Sequence, residues 1–191
     1  TLSPSLVHIF AKSREGLETP DLQGVFSPAS YKAGFVSMLD DYPGMTCGFW
    51  AHKPASTGYV HALSTNPIAE VKVQPNYLSV RSDLETLVSG IKLARKLVRS
   101  GPMQKYFDHE QLPGKQYGVS SWHLVGTAKM GPATDPDAVV DERLRVHGME
   151  RLTIADASVM PTSPSANTFA ATIMIAEKAS DMLKADLASN R

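Results

Sequence analysis

Apolar residues recur every three or four positions between residues 82 and 100, as they do on one face of a helix. Ser82 and Glu85 stand three positions apart at the start of this stretch, which is the pattern of a capping box. Gly101 and Pro102 follow it, and both residue types end helices. The pattern therefore predicts an amphipathic helix over 82–100.

The same spacing returns between residues 168 and 187. Residues 165–167, Ser-Ala-Asn, come directly before it, and both Ser and Asn are favourable N-cap residues. The pattern predicts a second long helix with an apolar face of seven side chains. These are Phe169, Ile173, Ala176, Ala179, Met182, Leu183 and Leu187.

Residues with high β-propensity precede the first helix. The runs 45–54 and 58–64 are joined by a short Ala-Ser-Thr-Gly link, which favours an antiparallel hairpin. A third strand is predicted at 70–74, and a separate strand at 152–155. Strands followed by an amphipathic helix suggest a sheet that is covered on one face.

Three stretches lack such periodicity. The opening segment is compatible with a short helix that begins near Ser5. Residues 16–48, rich in Gly, Pro, Ser and Asp, are predicted as loops with brief extended pieces and little packing. The stretch 108–136 contains seven Gly or Pro residues, too many for a regular element. It is interpreted as a long functional loop or as a boundary between lobes.

The composition argues against some classes of binding partner. Lys plus Arg and Asp plus Glu both number 19 in 191 residues, so no net charge favours a nucleic acid or an anionic membrane. No apolar run reaches the roughly eighteen residues that a membrane-spanning helix needs. Cys47 is the only cysteine, which excludes an internal disulfide and slightly favours the cytoplasm, although secretion is compatible with it. The sequence lacks both an initiator Met and a signal-peptide pattern, so an upstream part is expected.

Two side chains are candidates for chemistry. His123 lies in the Gly-rich loop with no Cys or His at metal-ligand spacing, so no metal site is predicted. A general base is then preferred, although a lone histidine more often has a structural role. Asn167 could cap the second helix, the commoner role, or donate its NH2 group to a developing oxyanion. The helix start behind it offers backbone NH groups and a positive dipole end to an anion.

Three segments resemble the glucose-methanol-choline (GMC) oxidoreductases, flavoenzymes that bind FAD and oxidise alcohols. WHLVGTAKMGP, residues 122–132, resembles the catalytic-histidine segment of that family. AVVDERLRVHGMERLTIADASVMPTSPSANTFAATIMIAEKASDML, residues 138–183, resembles its C-terminal signature. PASTGYVHALSTNPIAEVKVQPNYLS, residues 54–79, resembles strands of its substrate domain. The resemblance covers nearly the whole chain.

The resemblance implies roles for the residues at matching positions. His123 would be the active-site base and Asn167, 44 positions later, a second catalytic residue. Asp156 and Ala157 would contact the flavin through their backbone, and Asn167 and Thr168 would lie near its pyrimidine edge. In the implied mechanism, His123 accepts the alcohol proton while hydride passes to FAD, and Asn167 donates a hydrogen bond to the alkoxide-like oxygen.

The implied fold class is α+β. A connecting segment, 1–20, would precede a substrate-binding lobe, 21–120, in which helices pack on an antiparallel sheet. An active-site loop, 121–139, would lead to residues 140–191, whose strand and helix complete a Rossmann-like FAD-binding lobe. The sequence lacks the Gly-x-Gly-x-x-Gly turn that opens this lobe in the family. The expected partners are therefore FAD, a small-molecule alcohol, and the N-terminal FAD-binding part of the same protein or of a separate chain.

The sequence leaves other functions open. A hydroxynitrile lyase on the same fold needs a base but no net redox chemistry, and a binding domain could keep the fold without redox activity. The link from Gly114 to His123 is shorter than the helical insert of the family, which indicates a deletion or an omitted stretch. The electron acceptor is undetermined, while Phe49, Trp50 and Tyr77 favour an apolar or aromatic alcohol.

Overall fold

Strands come first along the chain and two long helices follow. The computed structural model describes residues 7–32, 38–111 and 123–189, and within these ranges five strands precede the first helix. This mixed sheet-and-helix architecture agrees with the α+β class, while the Rossmann-like lobe stays a prediction. No helix in the described ranges is long and apolar enough to cross a bilayer.

The chain divides into two compact units. The sheet unit contains Thr1–Ser56 and Tyr77–Ser121, and the helix unit contains Thr57–Asn76 and Trp122–Arg191. The lobe boundaries drawn from the sequence stay predictions. The structure groups Thr57–Asn76 with the C-terminal residues.

Three antiparallel strands form the sheet of the sheet unit, in the order β1-β2-β3. They are β1 (Val7–Ala11), β2 (Leu22–Ser27) and β3 (Thr46–Ala51). Leu22 and Gln23 at the start of β2 are fully buried. The central strand is therefore the best-buried strand of this sheet.

Two sequence predictions for this region are wrong. The start of the helix predicted near Ser5 lies outside the described residues, but its continuation over Val7–Ala11 is contradicted by β1, which pairs with β2. Strand β2 is one of the brief extended pieces predicted within 16–48, but it is well buried, so the prediction of little packing is wrong. The polar residue Gln23 interrupts the apolar pattern of this strand, so no sequence pattern indicated that the strand is buried. The side chain of Gln23 can be buried because its Oε1 lies 2.8 Å from Nε2 of His52.

The predicted hairpin is wrong in its pairing, although both of its strands exist. β3 pairs with β2, whereas β4 (Tyr59–Ala62) pairs with β5 (Val71–Gln74) in a separate two-stranded ribbon. The position of β5 confirms the strand that was predicted at 70–74.

Asp83 holds the link that follows β3. Its carboxylate accepts hydrogen bonds from the amides of Ala55 and Ser56, at 2.9 and 2.8 Å, and from the Ser56 hydroxyl at 2.5 Å. Burial alone would raise the pKa of Asp83, but the hydrogen bonds, led by that of the Ser56 hydroxyl, lower it. The link after β3 is thus attached to the first long helix.

Helix α1 (Arg81–Val98) confirms the helix predicted over 82–100, but its capping box is wrong. Val80 is the N-cap residue and makes no side-chain capping bond. Glu85 instead accepts a hydrogen bond from Nε of Arg81 at 2.8 Å. The side chain of Asp83, between them, holds the preceding loop, so a tertiary contact replaces the local one.

Helix α1 packs on β3 and β2, and a glycine permits the close approach. A Cβ atom on Gly90 would lie 2.9 Å from Cβ of Phe49 and 3.2 Å from Cδ2 of Leu22. The helix ends before Gly101, as predicted, and the short helix α2 (Gly101–Gln104) follows. The sheet is therefore covered on one face, as the order of elements indicated.

The helix unit is built around α3 (Thr168–Ser189), which confirms the second predicted helix. Its core lies between α3 and the segments around residues 140 and 159. The core consists of six buried side chains: Val140, Leu144, Val159, Met160, Ile175 and Ala179.

The apolar face predicted for α3 is wrong in most of its members. Ile175 and Ala179 are buried, whereas Phe169 and Leu187 are 75% and 70% exposed. Apolar residues occur almost all around this helix, so their period cannot select the buried side.

The strand predicted at 152–155 is reduced to one isolated bridge, between Thr153 and Arg145. The adjacent positions Gly148 and Arg151 have φ values of 73° and 57°, so the chain reverses too tightly for a longer ladder.

Candidate active site

Two backbone hydrogen bonds join the loop after His123 to the turn that follows Asp156. The amide of Ala128 donates to the carbonyl of Ser158, and the amide of Met130 donates to the carbonyl of Val159, both at 2.9 Å. Val159 is fully buried in the core of the helix unit. These bonds attach an irregular, Gly-rich loop to a well-packed part of the fold.

Gly126 allows this loop to turn. Its φ is +85°, a left-handed conformation that side chains disfavour, and a Cβ atom there would lie 3.4 Å from the carbonyl oxygen of Met160. The loop therefore needs glycine at this position for its backbone conformation.

The turn at Asp156 is shaped by its own side chain. Asp156 is the N-cap of a 3-10 helix (Ala157–Val159), and its carboxylate accepts from the amide and the hydroxyl of Ser158, at 2.8 and 2.5 Å. These hydrogen bonds, led by that of the hydroxyl, lower the pKa of Asp156. The carboxylate is therefore engaged within the turn. Flavin contacts through the backbone of Asp156 and Ala157 stay a prediction.

His123 is held at both ring nitrogens by residues at the start of α3. Nδ2 of Asn167 lies 2.9 Å from Nε2 of His123, and Nδ1 of His123 lies 3.2 Å from Oγ1 of Thr168. All three residues are half-buried. The structure thus brings three of the predicted site residues into direct contact.

The chemistry of the amide decides the hydrogen-bond direction at Nε2. The NH2 group of an asparagine can only donate, so Nε2 of His123 accepts and carries no proton in this arrangement. An unprotonated imidazole nitrogen is the form that takes a proton from a hydroxyl. The contact therefore presents His123 as a base next to a hydrogen-bond donor.

Further contacts hold the loop beyond the histidine. Nζ of Lys129 lies 2.7 Å from a carboxylate oxygen of Asp135, and the hydrogen bond between them lowers the pKa of Asp135. The ring of His147 hydrogen-bonds the carbonyl of Gly131 at 3.0 Å. The loop is irregular but firmly attached.

Other features of the chain lie apart from these residues. Trp122, part of the histidine segment in the sequence, lies outside the described residues, as does the short link before it. In the described ranges, no group of His, Cys, Asp or Glu side chains could hold a metal ion. A cavity of about 220 Å³ in the sheet unit, lined among others by His52, Asp83 and Thr86, contains none of the predicted site residues.

Residues 54–176 match the family model described as GMC oxidoreductase. The chain belongs to the GMC oxidoreductase family. Members of this family and their structural neighbours are FAD-dependent flavoproteins. The resemblance inferred from the three sequence segments is thereby confirmed.

Two GMC relatives are similar over most of this chain. The oxygen-dependent choline dehydrogenase of Vibrio vulnificus is 35% identical over 191 residues, which cover 91% of this chain and 33% of the relative. The alcohol dehydrogenase (acceptor) of Pseudomonas putida is 35% identical over 195 residues, which cover 94% of this chain and 35% of the relative. The chain thus spans about a third of the length of the curated relatives it matches.

The fold is also that of solved GMC structures. Pyridoxine 4-oxidase from Mesorbium loti matches with a TM-score of 0.78 and 23% identity, over 92% of this chain and 37% of that chain. This likeness supports the mixed sheet-and-helix fold.

Sequence reasoning missed one contact in the site. Thr168 was assigned to the cofactor, and its hydrogen-bond distance from His123 was not anticipated. The only signal for it was its position directly after Asn167, because a contact across 45 positions has no local pattern.

Proposed function

We propose that this chain is the C-terminal part of an FAD-dependent oxidoreductase that converts an alcohol to an aldehyde or ketone. His123 is the base and Asn167 is the hydrogen-bond donor to the alcohol oxygen. The observation that carries the proposal is the 2.9 Å distance between Nδ2 of Asn167 and Nε2 of His123. It sets a donor and an acceptor side by side, as a hydroxyl group requires.

A substrate hydroxyl can replace the direct bond between these two side chains. An oxygen about 2.8 Å from both nitrogens would donate its proton to Nε2 of His123 and accept from Nδ2 of Asn167. As the proton moves to His123, negative charge develops on the oxygen, and the Asn167 NH2 group stabilises it. Each side chain thus has a separate role at the same atom.

The residues at the start of α3 and at the Asp156 turn fit one side of a flavin. Asn167 and Thr168 lie at the positive end of a helix of 22 residues, which suits the electron-rich pyrimidine edge of the ring. Asp156 has its carboxylate engaged by Ser158, which leaves the backbone of Asp156 and Ala157 to make the contacts. When bound, FAD supplies the acceptor for the two electrons of the alcohol.

Exposed apolar side chains indicate that further protein covers the helix unit. Phe169, Met174 and Leu187 of α3 are each at least 60% exposed. Apolar areas of this kind mark binding surfaces. We assign them to the N-terminal FAD-binding part, in the same protein or in a second chain, which with residues 140–191 forms a Rossmann-like lobe.

The ribbon of β4 and β5 also indicates that further protein covers part of this chain. Val60 pairs with Val73 and Ala62 with Val71, so one face of the ribbon is wholly apolar, and all four residues are exposed. A two-stranded ribbon is at best marginally stable by itself. Additional sheet from the rest of the protein would bury this face.

The substrate class is the least determined part of the proposal. The relatives are named for choline and for alcohol, so small primary alcohols are the first candidates. Phe49 packs between β2 and α1, close to Gly24 and Gly90, which gives it a role in the core. The preference for an aromatic alcohol then depends on Trp50 and Tyr77.

Anaerobic flavin reduction in the full-length holoprotein tests the proposal. A panel of choline, a short aliphatic alcohol, an aryl alcohol and glucose is mixed with the enzyme, and flavin absorbance is followed in a stopped-flow instrument. We expect at least one alcohol to bleach the flavin and to yield a carbonyl product. Cyanide release from a cyanohydrin without bleaching would support the lyase instead, and bound flavin inert to the whole panel would support a binding domain.

A further inference from the structure

We propose that Thr168 is a positioning residue that keeps the proton of His123 on Nδ1 and so leaves Nε2 as the base. This inference rests on the proposed function only in naming His123 as the base. Its observation is a separate one, the 3.2 Å distance between Nδ1 of His123 and Oγ1 of Thr168.

The tautomer follows from the two contacts taken together. A neutral imidazole carries one proton, and Nε2 accepts from the NH2 group of Asn167, so the proton is on Nδ1. Nδ1 then donates to Oγ1 of Thr168, because a hydroxyl oxygen can accept. In histidine sites, the hydrogen bond at one ring nitrogen commonly sets the protonation of the other. Thr168 therefore has the role of acceptor at Nδ1.

Thr168 is a better-fixed group than the histidine it contacts. It is the first residue of α3, and its carbonyl accepts from the hydroxyl of Thr172 at 2.8 Å. Ile175 and Ala179 bury the same helix in the core. Thr168 is also β-branched, which restricts its χ1 rotamer.

The far end of α3 is held as well. Asp186 accepts from Arg143 at 2.6 Å and from Arg145 at 3.2 Å through its two carboxylate oxygens. His123, by contrast, lies in an irregular loop. The hydroxyl of Thr168 is therefore held in place by α3, and its hydrogen bond orients the imidazole ring of His123.

In Thr168→Val the protonated Nδ1 of His123 loses its acceptor. An NH group left without a partner in this half-buried site disfavours the wild-type tautomer, so the balance shifts towards the alternative one. Its Nε2 would then carry the proton and face the Asn167 NH2 group, donor against donor, and the ring would rotate away. Misplacement of a catalytic group by about 1 Å can cost about a hundredfold in rate. We therefore expect Thr168→Val to lower the rate of flavin reduction by roughly tenfold to a hundredfold.

The test measures the tautomer directly in the full-length FAD holoprotein. Histidine is labelled with ¹⁵N, and the His123 signals are identified by their loss in a His123→Gln variant. We expect a protonated Nδ1 and an unprotonated Nε2 near neutral pH in the wild type. Thr168→Val removes the acceptor at nearly constant shape and should shift the ring towards the Nε2-protonated form, whereas Thr168→Ser should retain the wild-type pattern.

Thr172→Val is the matched control. It lies one turn further along α3 and removes a hydroxyl that bonds the Thr168 carbonyl, not the imidazole. It should leave the tautomer unchanged, and flavin content with the melting temperature shows that every variant is folded. A wild-type ring protonated on Nε2, or a Thr168→Val ring identical to the wild type, overturns the inference.

These outcomes are separable from those of the proposed function. The tautomer is read without any substrate, so failure of every alcohol to reduce the flavin leaves the Thr168 result intact. Conversely, an active enzyme whose tautomer ignores Thr168→Val refutes the inference alone.

Discussion

Nε2 of His123 and the side-chain nitrogen of Asn167 are 2.9 Å apart, although 44 positions of sequence separate the two residues. A loop anchored on the buried Val159 segment supplies one, and the start of α3 supplies the other. The contact sets a hydrogen-bond donor beside an acceptor, which is the arrangement that the proposed role at a substrate hydroxyl requires. The roles proposed for these residues can be tested by substituting each of them in turn.

His123→Ala removes the proposed base. We expect the rate of anaerobic flavin reduction by alcohol to fall by about two to four decades, because general base catalysis contributes about that much. Flavin content should be largely unchanged, and stopped-flow absorbance measures both. His147→Ala is the control, since His147 bonds the Gly131 carbonyl and lies outside the proposed chemistry. Unchanged kinetics in His123→Ala would remove the residue from the mechanism.

Asn167→Ala removes the proposed donor to the developing oxyanion. Loss of one such donor typically costs about a hundredfold to a thousandfold in rate. We expect the loss to appear in the maximal reduction rate more than in the apparent substrate affinity. Asn167→Asp offers acceptors only at physiological pH and should be no better than alanine. An aspartate variant as fast as the wild type would contradict the donor role.

Gly126→Ala tests the left-handed turn in the histidine loop. An alanine at φ +85° is strained by about 1–2 kcal/mol, so the free energy of unfolding should fall by about that amount. Gly101→Ala is the matched control, because Gly101 has no positive φ and no atom within 4 Å of the added Cβ. Urea unfolding of both variants measures the difference. Equal stability of the two variants would show that the loop tolerates a side chain.

Asp83 makes the sheet unit sensitive to acid. The pKa of Asp83 is lower in the folded protein than its ordinary value of about 3.9, so its hydrogen bonds contribute their full stability above that value. The contribution is lost as the pH falls through the lower, folded pKa. We expect the wild type to lose part of its unfolding free energy below about pH 4 and Asp83→Asn to lose less.

The same residue gives a measurable change at neutral pH. Asp83→Ala leaves the amides of Ala55 and Ser56 without their acceptor. Because both hydrogen bonds are only partly buried, we expect the protein to be destabilised by about 1–2 kcal/mol. Glu85→Ala removes only an exposed ion pair with Arg81 on the same helix and should change stability by less than about 0.5 kcal/mol. If the unfolding free energies of the wild type and Asp83→Asn fell in the same way at low pH, a group other than Asp83 would be responsible for the acid sensitivity.

Local sequence patterns were sufficient to predict the elements whose formation depends on residues close together in the sequence. The period of apolar residues located α1 and α3 to within a few positions, and β-propensity located β5. The combination of the His123 segment with the C-terminal segment was specific enough to indicate the family, which the match over 54–176 confirms.

Tertiary contacts decided what these patterns left undetermined. The partner of β3 is β2 and not β4, and Asp83 binds the link that follows β3. The buried side of α3 contains Ile175 and excludes Phe169, because the helix is apolar on nearly every side and only the packed core of the helix unit distinguishes them.

The residue types and their order along the chain therefore determined the two long helices, the strands β3, β4 and β5, and the pair of residues to which chemistry was assigned. Only the folded structure decided that Asn167 and Thr168 contact the two ring nitrogens of the same imidazole. The physical reason is that helix and strand preferences arise from interactions within a few residues. A hydrogen bond between distant side chains depends on how loops and helices pack, which no short window of sequence records.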